Sequence, residues 1–240
     1  PHCGLTLFQE NIMKLITLSR AITLVTFLAL NGGVHADDFS ADIPSHNGCQ
    51  LKPATDCAGA DLKGADLSGL DLTGANFAGA NLEGADLRHS NLKGVNLEKA
   101  NLRNANMSRA RLMSTNLRMA DLTGARLIAI QSWNLFAQKA IFHNVDATGA
   151  NLEFGRLTRS EWNNANMTGV NLEMAWFNKA KLNGANLQDA NLQEVKLNLS
   201  SLRNANLEGA NLRYGNFQSM DMHGCTACPF DWAYKDGPGP

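Results

Sequence analysis

An apolar residue recurs at every fifth position in constant phase over most of this chain. Leu62, Leu67, Leu72, Phe77, Leu82, Leu87, Leu92, Leu97 and Leu102 fall on it, and the same phase reaches Leu182, Leu187, Leu192, Leu197, Leu202, Leu207, Leu212, Phe217 and Met222. With that residue taken as the centre, i, of a five-residue unit, thirty-four central positions run from Cys57 to Met222. Twenty-two are Leu, four Phe and three Met, with Trp162 and Cys57 one each, so only Ser132, Ala137 and Ala147 break the rule. Position i−2 is usually small (Ala60, Ala65, Ala75), i−1 is usually Asn or Asp (Asp61, Asp66, Asn76), and i+2 is often Gly (Gly64, Gly69, Gly74). A period of five fits neither an α-helix nor a flat strand. A helix would smear these leucines around its circumference, and a strand would send alternate ones to opposite faces. A coil that turns a corner every five residues sends every i and every i−2 inward, where small Ala and large Leu fill a narrow interior together. Gly two residues after Leu suits a turn that needs φ > 0 at its third residue. Asn and Asp suit turn-adjacent positions, where their side chains bond nearby backbone.

The units Ala60–Gly64 (A-D-L-K-G), Ala65–Gly69 (A-D-L-S-G), Ala80–Gly84 (A-N-L-E-G) and Ala185–Asp189 (A-N-L-Q-D) resemble the pentapeptide-repeat family, A-(D/N)-L-x-x, over about residues 55–224. Tens of tandem copies make the match specific. The resemblance implies an all-β fold: a right-handed quadrilateral β-helix with four units per coil. Thirty-four units would make 8.5 coils, a rod of roughly 40 Å at the usual strand spacing. Each coil would touch only its neighbours, and both ends would expose strand edges that need caps.

The segments outside the repeat are expected to play other parts. Met13 opens a stretch that reads as a secretory signal: Lys14 and Arg20 are basic, Ala21–Leu30 is an apolar run, and Val34-His35-Ala36 supplies small residues for cleavage near Ala36. The run is too short for a spanning helix, which needs about 20 residues. Residues 1–12 then read as an upstream extension, 13–36 as the signal peptide, 37–54 as an N-terminal cap and 225–240 as a C-terminal cap and tail. Phe230, Trp232 and Tyr234 are expected to cover the last coil. Residues 128–137 (IAIQSWNLFA) lose the pattern, and either bulge out as a loop or stay in the coil as two poor units.

Cys49, Cys57, Cys225 and Cys228 form an even set in a chain expected to be exported, which favours disulfides. Of three connectivities, Cys49–Cys57 and Cys225–Cys228 are expected, one staple at each end. The rival is zinc at His223-x-Cys225-x-x-Cys228. No nucleophile elbow, H-E-x-x-H, phosphate-binding Gly loop or triad is visible, so neither an enzyme nor a cofactor is expected.

The outward surface remains. Residues 20 apart stack on one face if register holds. Met113 and Trp133 would then stack, with Phe154 and Met174 beside them. Around the next corner Phe136, Arg156, Trp176 and Lys196 would form a ladder with cation–π contacts. Such an apolar cluster suggests a protein-partner surface. Against this, the 128–137 segment could cover it, or a shift of register could scatter it. Lys99, Lys139, Arg159 and Lys179 would share a column, diluted by Glu98, Asp146 and Glu173 and so read as a solvated face.

The formal net charge is −1, which excludes a strongly basic nucleic-acid binder and a strongly acidic chain, whereas a DNA mimic needs a strongly acidic face. The reading is an exported, periplasmic or secreted scaffold with an unknown protein partner, no nucleic acid and no stable membrane insertion after cleavage. An end-to-end homodimer stays open. The alternative, a topoisomerase-binding DNA mimic like some family members, is disfavoured by charge and by the signal.

Overall fold

A computed structural model describes residues 43–229. The expected extension, signal peptide and start of the N-terminal cap, like Phe230, Trp232 and Tyr234, lie outside the described residues. The described part opens with a two-stranded antiparallel hairpin, β1 (Ser45–His46) and β2 (Cys49–Gln50), in which Ser45 pairs with Gln50 and His46 with Cys49. Its turn is Asn47-Gly48, with φ of 47° and 80°, the two left-handed residues that a tight hairpin turn requires. The Asn47 side-chain amide donates to the Asp61 carbonyl at 2.8 Å, and Ala54 N–H donates to the Thr73 carbonyl at 2.9 Å. Both bonds tie the hairpin segment to the first coil.

From Asp56 onward every i−1 residue pairs in parallel with the residue twenty further on: Asp56 with Asn76, Asn76 with Asn96, and so on to Asn206 with Thr226. Each turn of the coil therefore takes four five-residue units. No helix occurs among the described residues. The corners are uniform. In the first complete ones, Ala65 N–H donates to the Leu62 carbonyl at 3.1 Å, and Gly64 takes φ 65°, the geometry of a type II turn. Positive φ persists at i+2 where Gly is absent, for example at Lys139 (61°), Phe154 (56°) and Leu199 (61°). A left-handed backbone disfavours such side chains, so the stacked neighbours, and not the corner residue, hold the corner.

Inside, i and i−2 form one continuous core. Leu62, Leu92, Phe142, Leu157 and Trp162 are fully buried, and Ala80, Ala110 and Ala140 lie between them. The buried hydroxyls are all bonded: Ser90 Oγ donates to the Leu87 carbonyl at 2.7 Å, and Thr115 Oγ1 to the Leu92 carbonyl at 2.7 Å. No buried side-chain polar atom among the described residues lacks a partner, as a narrow apolar interior requires.

Residues 128–137, expected as an irregular break, continue the coil. Gln131 bridges Arg111 and Asn151, Phe136 bridges Asn116 and Arg156, and nothing bulges. The sequence pattern fails here because large and small have exchanged places. Ile130 and Leu135, at i−2, are buried alongside Ser132 and Ala137, at i. Total volume per unit is kept, and close packing constrains volume more than it constrains which inward position carries it.

Cys49 is bonded to Cys57, with Cα atoms 5.6 Å apart, and Cys225 to Cys228, with Cα atoms 5.9 Å apart. The sulfurs that a zinc site would use are therefore committed to each other. Among the described residues no group of three His, Cys, Asp or Glu side chains is placed to hold a metal. The first bond closes a separation of 8 residues between the hairpin and the first central position. Reduction, or Cys49→Ser with Cys57→Ser, is expected to lower unfolding free energy by about 2–3 kcal/mol through the loosened unfolded chain. Urea denaturation with and without reductant measures it, and coincident curves would refute the stapling role.

Candidate functional site

Most of the outer surface is written by the repeat. At i−1 the Asn and Asp side chains do two jobs. The carboxylate or amide oxygen accepts from the backbone N–H two residues on, as Asp66 does from Ser68 at 3.0 Å. The amide nitrogen donates to the same position one turn below: Asn76 to Asp56 at 2.8 Å, Asn96 to Asn76 at 3.0 Å, and Asn116 to Asn96 at 3.0 Å. These ladders brace the corners and stitch the turns together. They also set the electrostatics of the carboxylates in them. The Thr73 hydroxyl and N–H beside Asp71 hold its carboxyl below the ordinary value, as does Lys181, joined by His143, for Glu161.

The ladder stops in two columns: one runs Ile141, Glu161, Lys181 and Ser201 above Asp121, and the other carries aromatic side chains. Above Asn116 the i−1 column becomes Phe136, Arg156, Trp176 and Lys196, consecutive bridge partners in four successive turns. Phe136 lies between two guanidiniums, Arg118 at 5.0 Å and Arg156 at 5.2 Å from the ring centre, and Lys196 sits 4.3 Å from the centre of Trp176. Such pairs are each worth about 0.5–1 kcal/mol at exposed sites. Over the preceding corner Trp133 meets Phe154 edge to face, with centroids 5.7 Å apart. Met113 and Met174 are half-buried in the same two outward columns. Trp133 and Trp176 stay 50% and 48% exposed, values high for indoles that the repeat would fill with Asn or Ser. Register is constant through the region, so neither a covering loop nor a shift disperses the cluster.

Arg118 was not legible as a member, because it belongs to the outward i+1 column and reaches Phe136 diagonally. Its Nε also donates to Gln138 Oε1 at 3.2 Å. The column of cations is also clearer in three dimensions. Met119 separates Lys99 from the rest, leaving Lys139, Arg159 and Lys179 in consecutive turns, capped at either end by exposed Met119 and Leu199. The carboxylates expected to dilute them stand in other columns. Glu98 accepts from the Asn116 amide at 3.3 Å, and Asp146 accepts from Thr148.

A coil of stacked Asx-braced corners carrying its variety only on outward columns defines a class: a repeat solenoid that presents a ribbed surface. This chain belongs to the pentapeptide-repeat family, whose repeats match residues 55–94, 90–127, 148–184 and 190–226. Among solved structures it is similar to HetL, a pentapeptide repeat protein involved in heterocyst differentiation regulation from the cyanobacterium Nostoc sp. strain PCC 7120. Identity is 28% over 71% of this chain and 88% of that one, with TM-score 0.34. It is similar to QnrB1, a plasmid-mediated fluoroquinolone resistance protein, at 19% identity over 73% of this chain and 90% of that one, TM-score 0.35. A pentapeptide repeat protein from the Arabidopsis thaliana thylakoid lumen shows 26% identity over 53% and 68%, TM-score 0.18. No curated protein matches.

Proposed function

We propose that the chain is a non-enzymatic scaffold that binds a protein partner through its aromatic face, and that it works outside the cytoplasm, after cleavage near Ala36, in the periplasm or beyond. Its coil is right-handed and quadrilateral, of about eight turns, as the family resemblance implies. The observation that carries the binding reading is the replacement of the amide ladder above Asn116 by Phe136, Arg156, Trp176 and Lys196, the one i−1 column among the described residues that places aromatic rings on the surface. The repeat supplies a stabilising Asn or Asp at most i−1 positions, and a half-exposed indole there (Trp176), with Trp133 half-exposed over the preceding corner, serves contact with something outside. Export is supported by the charge, length and small-residue pattern of residues 13–36 and by the even cysteine set.

Immobilised protein is expected to recover a partner from a periplasmic extract, and Trp133→Ala with Trp176→Ala is expected to reduce that recovery at least about tenfold, as for paired aromatic anchors. Unchanged recovery sinks the binding face. A native N-terminus far from Asp37 on a cytosolic protein sinks the export. The topoisomerase-binding alternative is disfavoured by a formal net charge of −1, since phosphate mimicry calls for strong acidity. Inhibition of gyrase supercoiling at sub-micromolar protein would restore it.

A further inference from the structure

We infer that the corner next to the aromatic face binds a linear polymer of carboxylated sugars, laid along the rod axis. The inference deepens the scaffold reading and rests on it only in placing function on the outward columns. Its ligand and its central residues, Lys139, Arg159 and Lys179, are separate, while Trp176 borders both surfaces.

Along this corner the three outward columns between residues 116 and 199 run Asn116, Phe136, Arg156, Trp176, Lys196; then Arg118, Gln138, Thr158, Asn178, Asn198; then Met119, Lys139, Arg159, Lys179, Leu199. They hold six cations and no carboxylate, on a chain whose formal charge is −1. None of the six has a carboxylate within ion-pair distance among the described residues. Between the columns lies a shallow cleft of about 300 Å³ lined by Gln138, Lys139, Thr158, Arg159, Asn178 and Lys179. Each turn thus contributes one cation and one neutral hydrogen-bonding side chain to the same groove, a pairing that suits a ligand with one anion and free hydroxyls per unit.

Spacing selects among polyanions. Successive turns are about 4.8 Å apart, so Lys139, Arg159 and Lys179 repeat a charge at that interval. An extended acidic peptide presents same-side carboxylates about 6.7 Å apart. A duplex advances about 3.4 Å per phosphate on each strand. A pyranose ring with its bridging oxygen spans about one turn of this coil and carries one carboxylate, so a chain of uronic acid rings matches the cations in charge per unit length, and its glycosidic torsions set which rings turn their carboxylates to the groove. Trp176, half exposed at the groove's edge, provides an apolar surface for ring C–H groups.

The test uses the full chain and oligogalacturonates of defined length, with calorimetry and indole fluorescence as readouts. The six-ring oligomer is expected to bind at least about tenfold more tightly than the two-ring oligomer, since only it spans all three cations. Binding should weaken when salt rises from about 50 to about 200 mM. Lys139→Asn with Arg159→Asn and Lys179→Asn should lower affinity at least about tenfold. Asn is tolerated at left-handed positions, so thermal unfolding of this variant should match the parent. Methyl-esterified oligomer, tested on the unaltered chain, should not bind. The inference is overturned by equal binding of the six- and two-ring oligomers, by an unaffected triple variant, by binding of the methyl ester, or by polyglutamate or oligo-dT binding as tightly as the uronate. Loss of sugar binding with partner recovery intact, or the reverse, separates this ligand from the protein partner.

Discussion

Trp162→Ala is expected to cost about 3–5 kcal/mol and to split the unfolding of the rod into two steps. Trp162 is fully buried, stacks on Phe142 with centroids 3.9 Å apart and planes 9° from parallel, and touches Phe177 at 5.8 Å. Its Nε1–H donates to Ser160 Oγ at 2.8 Å, and that hydroxyl donates to the Leu157 carbonyl at 2.6 Å, so truncation orphans no buried donor. The loss is one of volume and contact. Small residues, Ala147, Gly155 and Ser160, lie in the same turn. A Cβ on Gly155 would sit only 2.8 Å from the Leu152 carbonyl oxygen, so that corner is already tight. In a solenoid, stability is carried by interfaces between successive turns. A cavity inside one of them uncouples the turns below from those above. Calorimetry should show the midpoint falling by roughly 10 °C and the single transition broadening or dividing, with limited proteolysis nicking near residue 160. A loss under about 1 kcal/mol with one sharp transition would mean that the aromatic stack is incidental.

The solenoid itself was legible because a period of five admits so few chain paths. Leu62 through Met222 point inward, the corners carry φ > 0 after them, and units twenty apart pair, all as the pattern requires. The stacked ladder of Phe136, Arg156, Trp176 and Lys196 followed from the same arithmetic. Two things were not legible. The amide ladder runs between turns, from Asn76 to Asp56 and upward, and the repeat shows only that Asn recurs, not that its second hydrogen bond crosses to the next turn. The isolated cation groove was hidden by counting charges in sequence: Glu173 lies close to Lys179 along the chain, yet it stands on another corner and accepts from Asn191 at 3.2 Å. Distance along the chain and distance on the surface part company wherever a corner intervenes.

The exchange of large and small residues at 128–137 makes the second prediction, in which mutating toward the repeat consensus destabilises. Ala137→Leu restores the usual central leucine, yet Ala137 is fully buried beside the equally buried Leu135, so a second large side chain must enter an interior that already holds one. Overpacking of this kind costs about 1–3 kcal/mol. Leu135→Ala, also a consensus change, removes the filling side chain and should cost about 2–5 kcal/mol. Together the two changes recreate the ordinary Ala-x-Leu order, so the double variant should be far less destabilised than the sum of the singles, with a coupling of at least about 1 kcal/mol between neighbours in one shared volume. Urea denaturation of the four proteins measures the cycle. Additive losses would mean that the two inward positions are not exchangeable, and a stabilising Ala137→Leu would mean that the turn holds unused space. Partial rescue has a defined cause, because Phe136 between these positions must keep its place beneath Arg156. A corner relaxed toward consensus that shifted Phe136 would register in partner binding before it registered in stability.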